Sequence, residues 1–156
     1  MAENVSFEIL LSAKWWKDPP KVNIFLDDTL IESEIYIDQL RSEGKHQTFK
    51  FDKELEEGEH QLIIEYLNKT NADTIIDEDG NILNDQLLFI NNISIDDIEL
   101  GNGVIFKCCA FYPSEARLQE VSWLEKEIFR INTLGHSGKW IIKFATPTYL
   151  WLLENL

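Results

Sequence analysis

The sequence predicts an all-β protein: an antiparallel, jelly-roll-like β-sandwich with one added helix and an apolar C-terminal tail. Three observations predict it. Apolar and polar residues alternate through most of the first 110 positions, and turn signals recur roughly every 8 to 12 residues. The period changes once, after Pro113, to intervals of three and four.

The first strand carries Val5, Phe7, Ile9 and Leu11 on one face, and the second carries Val22, Ile24 and Leu26. Successive strand side chains point to opposite faces, so each set faces a core. Asp27-Asp28-Thr29 is a turn before a third strand at 30–37, and Ser42-Glu43-Gly44-Lys45 separates that strand from 47–51. Glu57-Gly58-Glu59 opens the next, at 60–67. There His60, Leu62, Ile64 and Tyr66 share one face, while Ile63 and Leu67 lie on the other, so this strand is covered on both sides and central. Asp79-Gly80, between 74–77 and 82–83, suits a tight hairpin because Gly accepts positive φ and Asp tolerates it. Strands at 87–95 and 104–110 complete the set. Ser114 then caps a helix over 114–130, whose apolar residues are Leu118, Val121, Leu124 and Ile128, with Glu115 in the first turn, where the helix dipole favours a carboxylate. Gly135 and Gly138 flank a turn; Trp140, Ile142 and Phe144 alternate as a final strand; Thr146-Pro147 starts a short helix through Leu153.

One domain over 1–156 is expected, with a sandwich core at 1–112 and the helix, final strand and tail at 113–156. A chain of 156 residues, 44% apolar, is long enough to form one core without disulfides or a structural metal. No apolar run approaches the ~20 residues of a membrane span, so a soluble protein without membrane attachment is expected. Met1-Ala2-Glu3-Asn4 reads neither as a basic leader nor as a signal segment. Cys108 and Cys109 are adjacent, which disfavours a disulfide between them and fits a reducing compartment.

The net charge is −14, and it is local: residues 1–100 hold 23 of the 28 acidic residues and 8 of the 14 basic ones. From Thr70 to Phe106 there is no Lys or Arg against eight carboxylates. Such a field repels phosphate backbones, so no nucleic acid partner is expected; cations and basic surfaces are the natural partners. Signatures of catalysis are missing. There is no G-x-S-x-G elbow, no phosphate-cradling Gly-rich loop and no paired histidine spacing among His46, His60 and His136, so no catalytic residue is assigned and the chain reads as a non-enzyme.

Two constellations stand out. Asp77, Asp79 and Asn81 alternate around Gly80, with Asp73 and Asp85 close by, and hard calcium takes six to eight oxygen ligands of this kind. Read as an EF-hand loop from Asp77, however, the sixth position is Ile82 and the twelfth Leu88, so that motif fails. The segment is a calcium site or a solvated hairpin tip. The second constellation is Trp15-Trp16 in the loop before Pro19-Pro20. With Trp140, these rings are candidate stacking faces for sugars; equally, one of them plugs the end of the sandwich. The tail from Tyr149 to Leu156 is too apolar to stand free, so it docks on its own sandwich or joins a second subunit.

Through 57–68 (Glu57-Gly58-Glu59-His60 to Tyr66-Leu67-Asn68) and Leu87-Leu88-Phe89-Ile90-Asn91-Asn92, the chain resembles the calcium-dependent carbohydrate-binding modules that recognise xylan. That resemblance implies a β-sandwich, a glycan ligand and a calcium ion held by Asn68, Asp73, Asp77, Asp79 and Asp85. Asn91 falls where the family has a further aspartate ligand, and the amide removes a charge from the site. Through Pro19-Pro20-Lys21-Val22, Gly135-His136-Ser137-Gly138-Lys139-Trp140 and Trp151-Leu152-Leu153-Glu154, the chain is also similar to small proteins of tailed myoviruses that infect marine bacteria. That likeness implies phage origin, expression in a host cytoplasm and a place in a virion. The expected function is thus non-catalytic glycan binding with calcium; the alternative is a structural virion or assembly protein acting through protein contacts.

Overall fold

The computed structural model describes residues 1–156. In chain order the elements are β1 (Glu3–Lys14), β2 (Lys21–Leu26), β3 (Thr29–Tyr36), β4 (Gln47–Leu55), β5 (Gly58–Tyr66), β6 (Ile75–Ile76), β7 (Ile82–Asn84), β8 (Leu87–Ile95) and β9 (Ile98–Glu99). There follow α1 (Gly101–Cys108), β10 (Cys109–Pro113), α2 (Glu115–Glu120), β11 (Ile128–Phe129), β12 (Thr133–Leu134), β13 (Gly138–Thr146) and α3 (Thr148–Asn155). The strands make an all-β antiparallel sandwich. One sheet runs β12-β8-β1-β4, with β9 along β8; the other runs β11-β10-β13-β5-β2-β3; β6 and β7 form a separate hairpin.

Alternation explains the layers. Val5, Phe7, Ile9 and Leu11 of β1 and Val22, Ile24 and Leu26 of β2 are all buried, and they join a core of 28 buried residues. Register then brings rings together. Phe7 pairs with Phe51 across β1 and β4, their rings stack at 4.9 Å, and Phe144 of β13 meets Phe7 edge-on at 5.6 Å from the opposite sheet. Each such side chain contributes roughly 1.5–3 kcal/mol of burial, which fixes the two layers against one another. As expected, β5 is central, between β13 and β2, and Leu62, Ile63 and Ile64 are buried in succession.

Two expectations are corrected. The run at 104–110 is not one strand, because 101–108 is helical: Leu100, Val104 and Cys108 recur at four-residue spacing, and Val104 and Ile105 are buried in the core. Short apolar runs of this kind fit either period, and packing decides between them. The helix expected over 114–130 stops at Glu120. Ser114 does cap it, its Oγ accepting from the Arg117 amide (3.2 Å), but Val121 is extended (φ −122°, ψ 98°). Ile128 and Ile131 then reach the core from β11 and the loop after it, and β11 pairs with β10. The final strand expected through Trp140, Ile142 and Phe144 is present as β13. β13 lies between β10 and β5, paired from Gly138↔Tyr66 to Thr146↔Gly58, so it supplies a middle strand of the larger sheet.

The tail docks on its own sandwich. Trp151 and Leu152 of α3 are buried, the Trp151 ring lies edge-on to Phe144 at 6.2 Å, and the Thr148 amide donates to Glu3 (2.9 Å). Tyr149, Leu150, Leu153 and Leu156 stay exposed. No helix is long and apolar enough to cross a membrane.

The same registers collect loops at one end. Gly138 pairs with Tyr66 and with Pro113, and Val22 also pairs with Tyr66, so the end of β5, the start of β13, the end of β10 and the start of β2 lie side by side. Gly138 permits this at φ +153°, where an added Cβ would come within 2.3 Å of the Tyr112 carbonyl oxygen.

Candidate functional site

At that end a cleft of about 550 Å³ opens between the β6–β7 hairpin, α2 with the turn after it, and the Gly135-His136 turn. Trp123 stands at its edge, 76% exposed, edge-to-face with the His136 ring at 5.9 Å and 75°. Ile76 and Ile82 of the hairpin supply apolar surface on another wall, and both are exposed.

The polar lining is ordered by one buried guanidinium. Arg117, held by capped α2, donates from Nε to His136 Nδ1 (2.9 Å) and from Nη1 to Asn71 Oδ1 (2.7 Å) and Glu120 Oε1 (3.5 Å). A guanidinium only donates, so Nδ1 is the acceptor and the neutral imidazole carries its hydrogen on Nε2. Burial, then the charges of Arg117 and Lys69, push His136 down to about 4, so the ring is neutral near pH 7. The cleft thus presents an aromatic face, an imidazole N–H, and the amide and carboxylate of Asn71 and Glu120.

Its floor is an ion pair. Lys69 Nζ, on a side chain 1% exposed, donates to Asp85 Oδ1 (2.5 Å) and to the Gln86 carbonyl (2.6 Å), and Thr74 Oγ1 donates to Asp85 as well (2.8 Å). Burial alone would raise Asp85, but the bonds from Lys69 and Thr74 outweigh it and hold the carboxyl below its ordinary value.

The expected metal ligands do not come together, and no three His, Cys, Asp or Glu side chains converge on a point where a metal ion could sit. Asn68 accepts from the Lys21 amide (2.8 Å) and donates to the Pro19 carbonyl (2.9 Å), tying the proline loop to the end of β5. Asp73 is buried and accepts from the Thr70 amide (2.9 Å) in a capping box. Asp77 accepts from the amides of Asp79 and Asn81 (2.9 and 2.8 Å), shaping the hairpin tip, while the Asp79 side chain is exposed. Asn91 lies on β8 and accepts from Ser12 Oγ (2.6 Å). Apart from the exposed Asp79 carboxylate these donors are engaged with the chain's own groups, and as arranged they offer no common site for a calcium ion.

The aromatics also divide. Trp140 is fully buried and donates to the Ile131 carbonyl (2.7 Å), which corrects its reading as a stacking face; it belongs to the inward set of β13. Trp15 is half-buried against the core and donates to the Asp38 carbonyl (3.0 Å). Trp16 is 41% exposed, and its Nε1 donates to the Asp73 carbonyl (2.8 Å), so it leans on the same 70–74 turn that brings Asn71 to the cleft. Sequence reasoning missed Trp123, Arg117 and His136. One signal was present: on the expected helix, Trp123 falls off the stripe of Leu118, Val121 and Leu124, which marks a large ring facing solvent.

A second cavity, of about 500 Å³, is lined by His60, Asp27, Lys143 and Trp151. Both His60 ring nitrogens there are engaged within the chain, by Asp27 (2.7 Å) and the Glu56 carbonyl (2.6 Å).

No protein-family model and no curated protein matches the chain. A solved structure described as "vCBM60 in complex with galactobiose", a carbohydrate-binding module, is similar in fold at a TM-score of 0.50. The two chains are 8% identical, and the match covers 90% of this chain and 97% of that one. At that identity the likeness speaks for the shared sandwich fold.

Proposed function

We propose that this chain is a non-catalytic glycan-binding module that takes a sugar in the cleft at the end of its larger sheet. One observation carries the reading: a largely exposed indole, Trp123, set beside a neutral imidazole and over a polar, ion-paired floor. An indole face packs against the C–H groups of a pyranose ring, while hydroxyls exchange hydrogen bonds with His136 Nε2–H, the Asn71 amide and the Glu120 carboxylate. Trp16 extends the surface along the 70–74 turn. The sandwich fold shared with a galactobiose-bound module supports the same reading and puts galactobiose first in the panel of sugars to test.

The test is calorimetric titration and affinity electrophoresis against neutral oligosaccharides, galactobiose and xylo-oligosaccharides included. Trp123→Ala is expected to weaken binding by about 1–2 kcal/mol or abolish retention, at unchanged Tm. Retention equal to the parent would remove the cleft from consideration. A second reading, a virion or assembly protein, rests on the exposed Tyr149, Leu150, Leu153 and Leu156 of α3. Sedimentation decides that point: a self-associating chain that Leu153→Glu returns to monomer favours it.

A further inference from the structure

Residues 85 and 86, just before β8, set two oxygen atoms around one buried point. Asp85 Oδ1 and the Gln86 carbonyl face it from 2.5 and 2.6 Å, and the Gln86 amide donates back to Asp85 (2.9 Å), holding the carboxylate in place. The Tyr66 hydroxyl bonds Gln86 Oε1, and the Thr74 hydroxyl bonds Asp85, so the surrounding side chains are fixed as well. A carboxylate and a carbonyl at one desolvated point are the ligand types of a hard cation. The position is already filled, by Lys69 Nζ. Its residue is anchored from behind, where the Lys69 amide donates to Ser137 Oγ (2.7 Å) and the Ser137 hydroxyl donates back to the Lys69 carbonyl (3.2 Å).

We infer that Lys69 is a built-in cation: its ammonium sits against Asp85, one of the residues to which the resemblance gives calcium, so the cleft keeps its shape without a divalent ion. Electrostatics gives the reason. A second cation beside an ammonium would meet repulsion instead of the attraction that normally offsets its dehydration. Two other expected donors are committed elsewhere: Asn68 to Lys21 and Pro19, and Asp73 to Thr70. The ammonium also does what a bound ion would do. It joins the 66–70 segment to residues 85–86 across the base of the β6–β7 hairpin, and Lys69, Thr74 and Asp85 all line the cleft.

Thermal melts of the ligand-free chain test this, so a failed oligosaccharide titration and a failed cation test are separate results. The parent chain is expected to melt at the same temperature, within about 1 °C, in millimolar calcium and in EDTA, since a ligand that binds the native state must raise Tm. A calcium-dependent rise in Tm that EDTA reverses would overturn the inference. Lys69→Ser leaves a carboxylate without its counterion and is expected to lower Tm by roughly 10 °C. Millimolar calcium or added methylammonium should then restore part of that loss, while sodium chloride at equal ionic strength should not. A K69S chain as stable as the parent, or one that no cation restores, also overturns it. Should K69S fail to fold, the parent's melts with and without calcium remain decisive.

Discussion

His60 and His136 show how the same side chain acquires opposite pH dependence from its neighbours. His136 takes up its proton only near pH 4, against 6.5 unfolded, because burial and then the cations Arg117 and Lys69 oppose the charge. The unfolded chain therefore binds the proton first, and the His136 contribution to stability is lost as pH falls from 6.5 towards 4. His60 behaves in reverse. Burial alone would lower it, but both ring nitrogens face acceptors, Asp27 and the Glu56 carbonyl, and these raise it above 6.5. Its contribution is complete below 6.5 and is lost as pH rises through the folded value. Melting curves from pH 4 upward should show a maximum between these limbs. His136→Gln should flatten the acid limb and His60→Gln the alkaline one, the latter with a loss of about 1–2 kcal/mol below pH 6.5. An H60Q chain that keeps the parent's alkaline fall would show that another group drives it. Neither role was legible in the sequence, because each depends on a partner 19 to 33 residues distant, in a register that alternation alone does not fix.

At the scale of elements, the cleft depends on how closely β10 and β13 approach at Gly138. An alanine there would place its Cβ 2.3 Å from the Tyr112 carbonyl oxygen and 2.7 Å from Pro113 Cα, both of them backbone atoms. Gly138→Ala is therefore expected to cost roughly 2–4 kcal/mol, read as a lower midpoint in urea, and to weaken sugar binding through the displaced His136 turn. Gly135→Ala is the control, because its added Cβ would meet only the Leu87 side chain, at 3.5 Å. Most long strands were legible because β1, β2, β8 and β13 bury largely alternate residues, and period two is a local signal. What failed was local too. Leu118, Val121, Leu124 and Ile128 keep helical spacing by coincidence, and β11 exists because β10 offers it an edge, which no window of sequence contains. The hairpin around Asp79-Gly80 was legible in its turn but not in its role as a cleft wall, since Ile76 and Ile82 count as wall only once Trp123 arrives from residues far along the chain.

For the whole molecule the deciding quantity is charge. The chain carries −14, yet the cleft is balanced: Lys69 and Arg117 face Asp85 and Glu120 inside it. For a polyanion at this end the acidic hairpin tip at Asp77, Glu78 and Asp79 is more exposed than either cation, and both cations already have partners. A neutral sugar meets no such barrier. On the proposed reading its affinity would rest on indole contact and hydrogen bonds, which release no counterions, so the logarithm of its binding constant should stay flat against the logarithm of salt concentration. A uronate-bearing oligosaccharide of the same backbone should bind more weakly at low salt and approach the neutral one as screening increases. Duplex DNA should show no binding at either extreme. The opposite pattern, tight binding of the acidic sugar at low salt that weakens as salt is added, would mean that Lys69 or Arg117 leaves its partner to take the ligand's charge. The balanced floor would then be the wrong account of the site, because recognition would run through an opened ion pair.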